Sequence, residues 1–175
     1  NADNAKLDDA LTDLAISSRG ILHLAYMVYD LALKDYNTSN THGFRNGLLM
    51  DNFKNEDNIA DLTGGMAVQN GALILNGAGK TGTMTTFLKN PGGSGWKRAI
   101  GWIRYEEGGT HTLSVNGTPL AVVDGWTTRT SEGTVCEELQ VEAEMAGTAS
   151  VTISLTISTG TAAQSKVYEY GVMFF

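Results

Sequence analysis

The chain has 175 residues, enough for one domain plus an accessory segment, and a fold of that size buries roughly 70% of its chain surface without help from disulfides. Apolar residues make up 42% and charged residues 18%, an ordinary globular balance that excludes a disordered tail. A formal charge of −7 with 12 scattered cations argues against a phosphate-binding surface, and so against nucleic acid as a partner. The one cysteine, Cys136, excludes an intramolecular disulfide and a thiolate zinc cage within one chain. No apolar run approaches the length that inserts into a membrane. Glycine is frequent at 21 and proline rare at 2, so Gly and Asn must make the turns.

Residues 1–36 read as an amphipathic, coiled-coil-like helix. Leu7, Leu14, Ile21 and Val28 recur every seven residues, and Leu24 and Leu31 follow three positions after the last two. Asp3, Asp8, Asp9 and Asp13 crowd the end where the helix dipole is positive. Such a helix either lies on the downstream domain or packs against copies of itself, and regular sevens favour the copies. The expected oligomer interface is therefore Leu7, Leu14, Ile21, Leu24, Val28 and Leu31. Residues 37–65 follow as hinge and junction, opening on the polar run Asn37-Thr38-Ser39-Asn40-Thr41-His42-Gly43.

From Met66 the period changes to two, over runs at Met66–Gln69, Ala72–Asn76, Thr81–Lys89, Arg98–Tyr105, Thr110–Val115, Pro119–Val123, Thr134–Met145, Ser150–Ser158 and Lys166–Phe174. Asn70-Gly71 and Asn116-Gly117 are hairpin signals. Val151, Ile153, Leu155 and Ile157 alternate with Thr152, Ser154, Thr156 and Ser158, the pattern of a half-buried antiparallel strand. The last run, taken from Val167 to Phe175, is apolar on both faces and should be central. Residues 66–175 thus form an antiparallel β-sandwich of jelly-roll-like size, making the chain mainly β.

Most chemical motifs fail in context. Gly77-Ala78-Gly79-Lys80-Thr81-Gly82 fits a dinucleotide fingerprint, but strand chemistry follows where a helix N-terminus is needed, so it reads as a hairpin turn. His23, His42 and His111 have no partner at metal-ligand spacing, so no metal or other cofactor is expected. Glu106-Glu107 point to opposite faces and cannot flank one bond. Glu138, Glu142 and Glu144 share a face and read as a solvated strand surface rather than an acidic binding strip. No nucleophile elbow occurs, Cys136 has no local activating partner, and the expectation is a non-enzyme. Trp96 ends a glycine-rich loop, and Trp126 opens a turn after Asp124-Gly125. With Tyr105 and Arg104 they could stack on and hydrogen-bond a sugar, although burial in a core or between subunits competes with that role. Trp102 alternates with Ile100 and reads as interior.

The order of parts resembles structural proteins of tailed bacteriophages. A heptad helix leads through Gly47-Leu48-Leu49-Met50-Asp51-Asn52-Phe53-Lys54-Asn55-Glu56-Asp57-Asn58-Ile59 into strands beginning Gly71-Ala72-Leu73-Ile74-Leu75, with Gly101-Trp102-Ile103-Arg104 later. That lead-in is similar to junctions preceding lectin-like sandwiches in tail appendages and virion surface proteins. The resemblance implies a homotrimer on the virion, joined to other virion proteins through its helices and displaying the sandwich outward. It carries no catalytic residue. The expected function is a non-enzymatic virion structural protein, and the alternative is a carbohydrate-binding module that recognises a host surface glycan.

Overall fold

The computed structural model describes Arg19 and residues 48–88, 96–106, 108–130, 132–148 and 150–174. The chain divides into compact units Asn1–Thr41 and His42–Phe175, and the described residues, Arg19 apart, belong to the second. The expected helix of 1–36, with its interface at Leu7, Leu14, Ile21, Leu24, Val28 and Leu31, lies outside the described residues.

The described strands are β1 (Leu48–Asp51), β2 (Ile59–Leu62), β3 (Met66–Gln69), β4 (Ala72–Asn76), β5 (Thr81–Thr86) and β6 (Trp96–Glu106). They continue with β7 (Thr110–Val115), β8 (Thr118–Pro119), β9 (Ala121–Arg129), β10 (Val135–Thr148), β11 (Ile153–Ser158) and β12 (Gln164–Phe174). All pairings are antiparallel. The larger sheet runs β3-β4-β12-β6-β10-β9, with β1 also paired to β12, and the smaller runs β2-β5-β11-β7-β8. The chain is mainly β, an antiparallel sandwich, as its alternation predicts.

Period-two patterning explains which side chains meet between the sheets. Ile153, Leu155 and Ile157 of β11 are fully buried, opposed across the interior by Leu73, Leu75, Ile103, Val167, Tyr170 and Val172 of the larger sheet. Each large aliphatic side chain buried this way is worth about 1.5–3 kcal/mol. The outward faces of β5, β11 and β7 carry only hydroxyls in register: Thr85, Ser154 and Ser114, then Thr83, Thr156 and Thr112, then Thr81, Ser158 and Thr110. Within that array the Thr83 and Thr156 hydroxyls lie 3.0 Å apart.

Four expectations need correction. The segment 37–65 is not hinge and junction throughout, because β1 pairs with β12 and β2 with β5; four-residue strands are too short to show a period. The Gly77–Lys80 turn joins β4 of one sheet to β5 of the other, so it is an inter-sheet crossing and not a hairpin. Trp126 opens no turn: with Asp124 and Gly125 it is strand interior, within β9, where the absent side chain of Gly125 leaves room for Leu139. Trp102 is buried, yet it belongs to the outer face of β6: Gly101 faces inward onto Leu113, and the Trp102 ring lies over Gly171 of β12. The Asn70-Gly71 and Asn116-Gly117 turns adopt the positive φ that two-residue hairpins require, 51° and 70° in the first and 49° and 78° in the second.

Candidate functional site

Three turns at one end of the larger sheet enclose a polar cleft of about 80 Å³ lined by Asn52, Lys54, Asn70, Gly71, Thr130, Glu132, Thr134, Tyr168 and Glu169. One wall follows β1 and holds Asn52 and Lys54. The Asn70-Gly71 hairpin forms another. The third is the β9–β10 turn, closed by Thr130 N–H donating to Thr134 O (2.8 Å) and Thr134 N–H donating to Thr130 Oγ1 (3.1 Å). Across the mouth, the Lys54 ammonium and Glu132 carboxylate form an exposed ion pair at 2.8 Å.

Tyr168 and Glu169 line the cleft from a β-bulge. Val167 opposes Tyr105 and Glu169 opposes Arg104, so Tyr168 is an extra residue without a partner position on β6. Its half-buried ring is fixed by a hydrogen bond from its hydroxyl to Glu106 Oε2 (2.8 Å), which also accepts from Lys166 Nζ (2.9 Å). Burial, and then Glu106, push the phenol up to about 12, so it stays a protonated donor. The bond from Lys166, and then that from Tyr168, lower the Glu106 carboxyl.

Behind the cleft, Glu169 joins Arg104 and Glu138 in a charged triad on the outer face of the larger sheet. Arg104 Nε donates to Glu138 (2.5 Å) and its Nη1 to Glu169, and the three residues are 4%, 7% and 2% exposed. Burial works against the guanidinium charge, but Glu138 and Glu169 together outweigh it and raise the Arg104 pKa. Glu138 is therefore not a solvated strand carboxylate, as its alternation with Leu139 suggested. Glu142 is tied to Arg98 at 2.5 Å, and Glu144 is exposed. Cys136, on the same outer face, has its thiol pushed up to about 11, chiefly by burial, and so is not a thiolate nucleophile.

The sugar-stacking candidates do not converge. Trp96 packs against the interior, its ring 6.4 Å from that of Phe174. Tyr105 turns inward and stacks on His111 at 4.1 Å. Arg104 is enclosed in its triad, and half-buried Trp126 stands beside Glu138 on the outer face of edge strand β9. Only Arg104 and Trp126 share a face. The residues that line the cleft were missed, although the sequence carries one signal. Lys166 and Glu169 are the two charges in a strand that is mostly apolar beyond Ser165 and stand three apart, a spacing that places them on one face only through a bulge.

The glycine-rich crossing cannot hold a phosphate. Three of its amides are already consumed within the fold: Gly77 N–H donates to Ala163 O, Gly79 N–H to Gly160 O and Lys80 N–H to Thr159 Oγ1. His111 Nε2 lies 2.8 Å from Ser165 Oγ, but both residues are buried between the sheets and neither lines the cleft. Among the described residues no group of three or more His, Cys, Asp or Glu is placed to hold a metal ion.

No protein-family model matches the sequence, and no curated protein does. Among solved structures, the chain is similar to a family 6 carbohydrate-binding module from Clostridium stercorarium, solved with cellobiose: 20% identity and TM-score 0.40 over 75% of this chain and 96% of that one. The C-terminal family 6 module of a Zobellia galactanivorans laminarinase gives 13% and 0.45 over 72% and 98%. A family 35 module from Cellvibrio japonicus gives 16% and 0.43 over 71% and 93%. A family two carbohydrate esterase from Cellvibrio japonicus gives 9% and 0.39, and the chain spans only 33% of its length. At such scores no residue role or ligand passes to this chain.

Proposed function

We propose that the sandwich is a non-catalytic binding module for neutral carbohydrate, held at the Tyr168 cleft. The observation that carries this reading is the cleft's chemistry. Asn52 and Asn70 bring amides that both donate and accept, Thr130 and Thr134 bring hydroxyls, and a fixed tyrosine ring offers a face for the C–H side of a sugar. At and behind the cleft Lys54 and Arg104 face Glu132, Glu138 and Glu169, an excess of one negative charge in a chain of net charge −7, which disfavours uronic acids.

Calorimetric titration of the full chain with laminarihexaose, cellohexaose, xylohexaose and hexagalacturonate tests the proposal. At least one neutral hexasaccharide should bind, and Tyr168→Ala should weaken it about tenfold, which corresponds to roughly 1.4 kcal/mol. Binding that survives both Tyr168→Ala and Asn70→Ala, or a preference for hexagalacturonate, overturns the reading. The virion surface as the place where this module acts rests on the sequence resemblance alone. Immunogold labelling of purified particles tests it, and unlabelled particles would refute it.

A further inference from the structure

The cleft wall that carries Asn52 and Lys54 is held by a residue pointing away from it. Between those two lies Phe53, fully buried, at φ +52°, a left-handed conformation that a bulky side chain adopts only when its surroundings impose it. Two contacts impose it here. Asp51 Oδ1 accepts the Phe53 amide hydrogen at 2.8 Å, closing a turn of the Asx type. The Phe53 ring lies 5.7 Å from that of Tyr170, which is buried in the core. Tyr170 follows Tyr168 and Glu169 on β12, so the residue that anchors the wall is next to those that line the opposite surface. Asp51 itself opposes Tyr170 in the β1–β12 ladder.

Resting on the carbohydrate reading above, we infer that Asp51 and Phe53 are positioning residues for the cleft. The turn and the buried ring hold the backbone reversed at position 53, which sends the side chains on either side of it, Asn52 and Lys54, toward Tyr168. A surface loop built on polar residues alone would have no such fix on the cleft. Two further side-chain turns of this segment are local: Asn52 Oδ1 receives the Lys54 amide at 3.4 Å, and Asn55 Oδ1 receives the Asp57 amide at 3.1 Å. Neither ties the loop to the sandwich.

The test compares Asp51→Ala, which removes the acceptor, with Asp51→Asn, which retains an oxygen in its place. Amide hydrogen exchange of the full chain, read over residues 52–58, needs no ligand. Asp51→Ala should speed exchange there at least tenfold while β12 stays protected, and Asp51→Asn should restore protection. In titrations with laminarihexaose, cellohexaose and xylohexaose, the alanine variant should lose at least tenfold in affinity and the asparagine variant less than threefold. Equal exchange in both variants and the parent overturns the inference. Affinity lost on Tyr168→Ala but kept on Asp51→Ala also overturns it, leaving the cleft reading intact. Affinity unmoved by Tyr168→Ala and Asn70→Ala together sinks the cleft reading instead, and the exchange result then decides the anchor by itself. Should Asp51→Ala not fold, Phe53→Leu keeps an apolar plug while shortening its reach to Tyr170. It should raise exchange over the same residues, and unchanged exchange counts against the anchor.

Discussion

Acidification should weaken this sandwich through His111 in a way that can be separated from its carboxylates. The imidazole is 6% exposed between the sheets, stacked on Tyr105, with Nε2 against Ser165 Oγ. Burial holds it down to about 4, from an ordinary value of 6.5. Between those values the unfolded chain binds a proton that the folded chain refuses, so stability falls as pH drops. The contribution is whole above pH 6.5, declines from there to about pH 4, and falls no further below that, where both states are protonated. At about 1.4 kcal/mol per pH unit the gap amounts to about 3 kcal/mol. Urea denaturation of the parent and of His111→Phe at pH 7.5, 6, 5 and 4 measures it. The phenylalanine variant loses the Ser165 contact at every pH, and its carboxylates titrate as in the parent. Its stability relative to the parent should therefore improve by about 3 kcal/mol between pH 7.5 and 4. A difference that stays constant with pH, or an imidazole that titrates near 6.5 in the folded protein by NMR, would refute the argument.

Removing one member of the buried triad should cost more than removing all three. Arg104→Met leaves the buried Glu138 and Glu169 carboxylates without the guanidinium between them and should cost about 3–5 kcal/mol in urea unfolding; adding Glu138→Leu and Glu169→Leu should recover most of it. Equal losses in the single and triple variants would show that the charges are solvated. Gly171→Ala would place a methyl 2.0 Å from the Trp102 ring, forcing the ring off the sheet at a cost of about 1–3 kcal/mol and shifting its fluorescence. An unshifted spectrum would contradict that placement. Gly117→Ala, at φ 78° but with open space around it, should cost about 1 kcal/mol from backbone strain alone, and a neutral result in thermal melts would refute the hairpin geometry.

What the sequence disclosed follows from which interactions are local. Met66–Gln69, Ala72–Asn76 and Thr110–Val115 are read at their structural bounds, because alternation and Asn-Gly turns are written within a few residues. The central place of β12 is legible too, since Val167–Phe174 carries apolar side chains on both faces, with Glu169 its one charge. The sheet to which a strand belongs is a long-range property, so the Gly77–Lys80 crossing shows its glycines but not its destination. The candidate site was hidden for the same reason. A cleft assembled from residues near positions 52, 70, 132 and 168 has no compact motif, and its tyrosine sits in a run that reads as core. The aromatics that drew attention, Trp96 and Tyr105, are spent on packing. Arg104 gave no hint that two glutamates would meet it from neighbouring strands.

The central position of β12 also orders events during synthesis. It pairs with β4 and β1 along one edge and β6 along the other, so without it the larger sheet falls into a β3–β4 hairpin, a separate β6-β10-β9 ribbon and a β1 with no strand beside it. The smaller sheet, complete at Ser158, would then stand with one side of its apolar layer uncovered. A ribosome must therefore release β12 before the interior can close, and the contacts then made join strands far apart in the chain. High contact order of this kind places folding in milliseconds to seconds rather than microseconds. Until β12 docks, Ile153, Leu155 and Ile157 are open to neighbouring nascent chains, which makes the interval before its emergence the period of greatest aggregation risk for this protein.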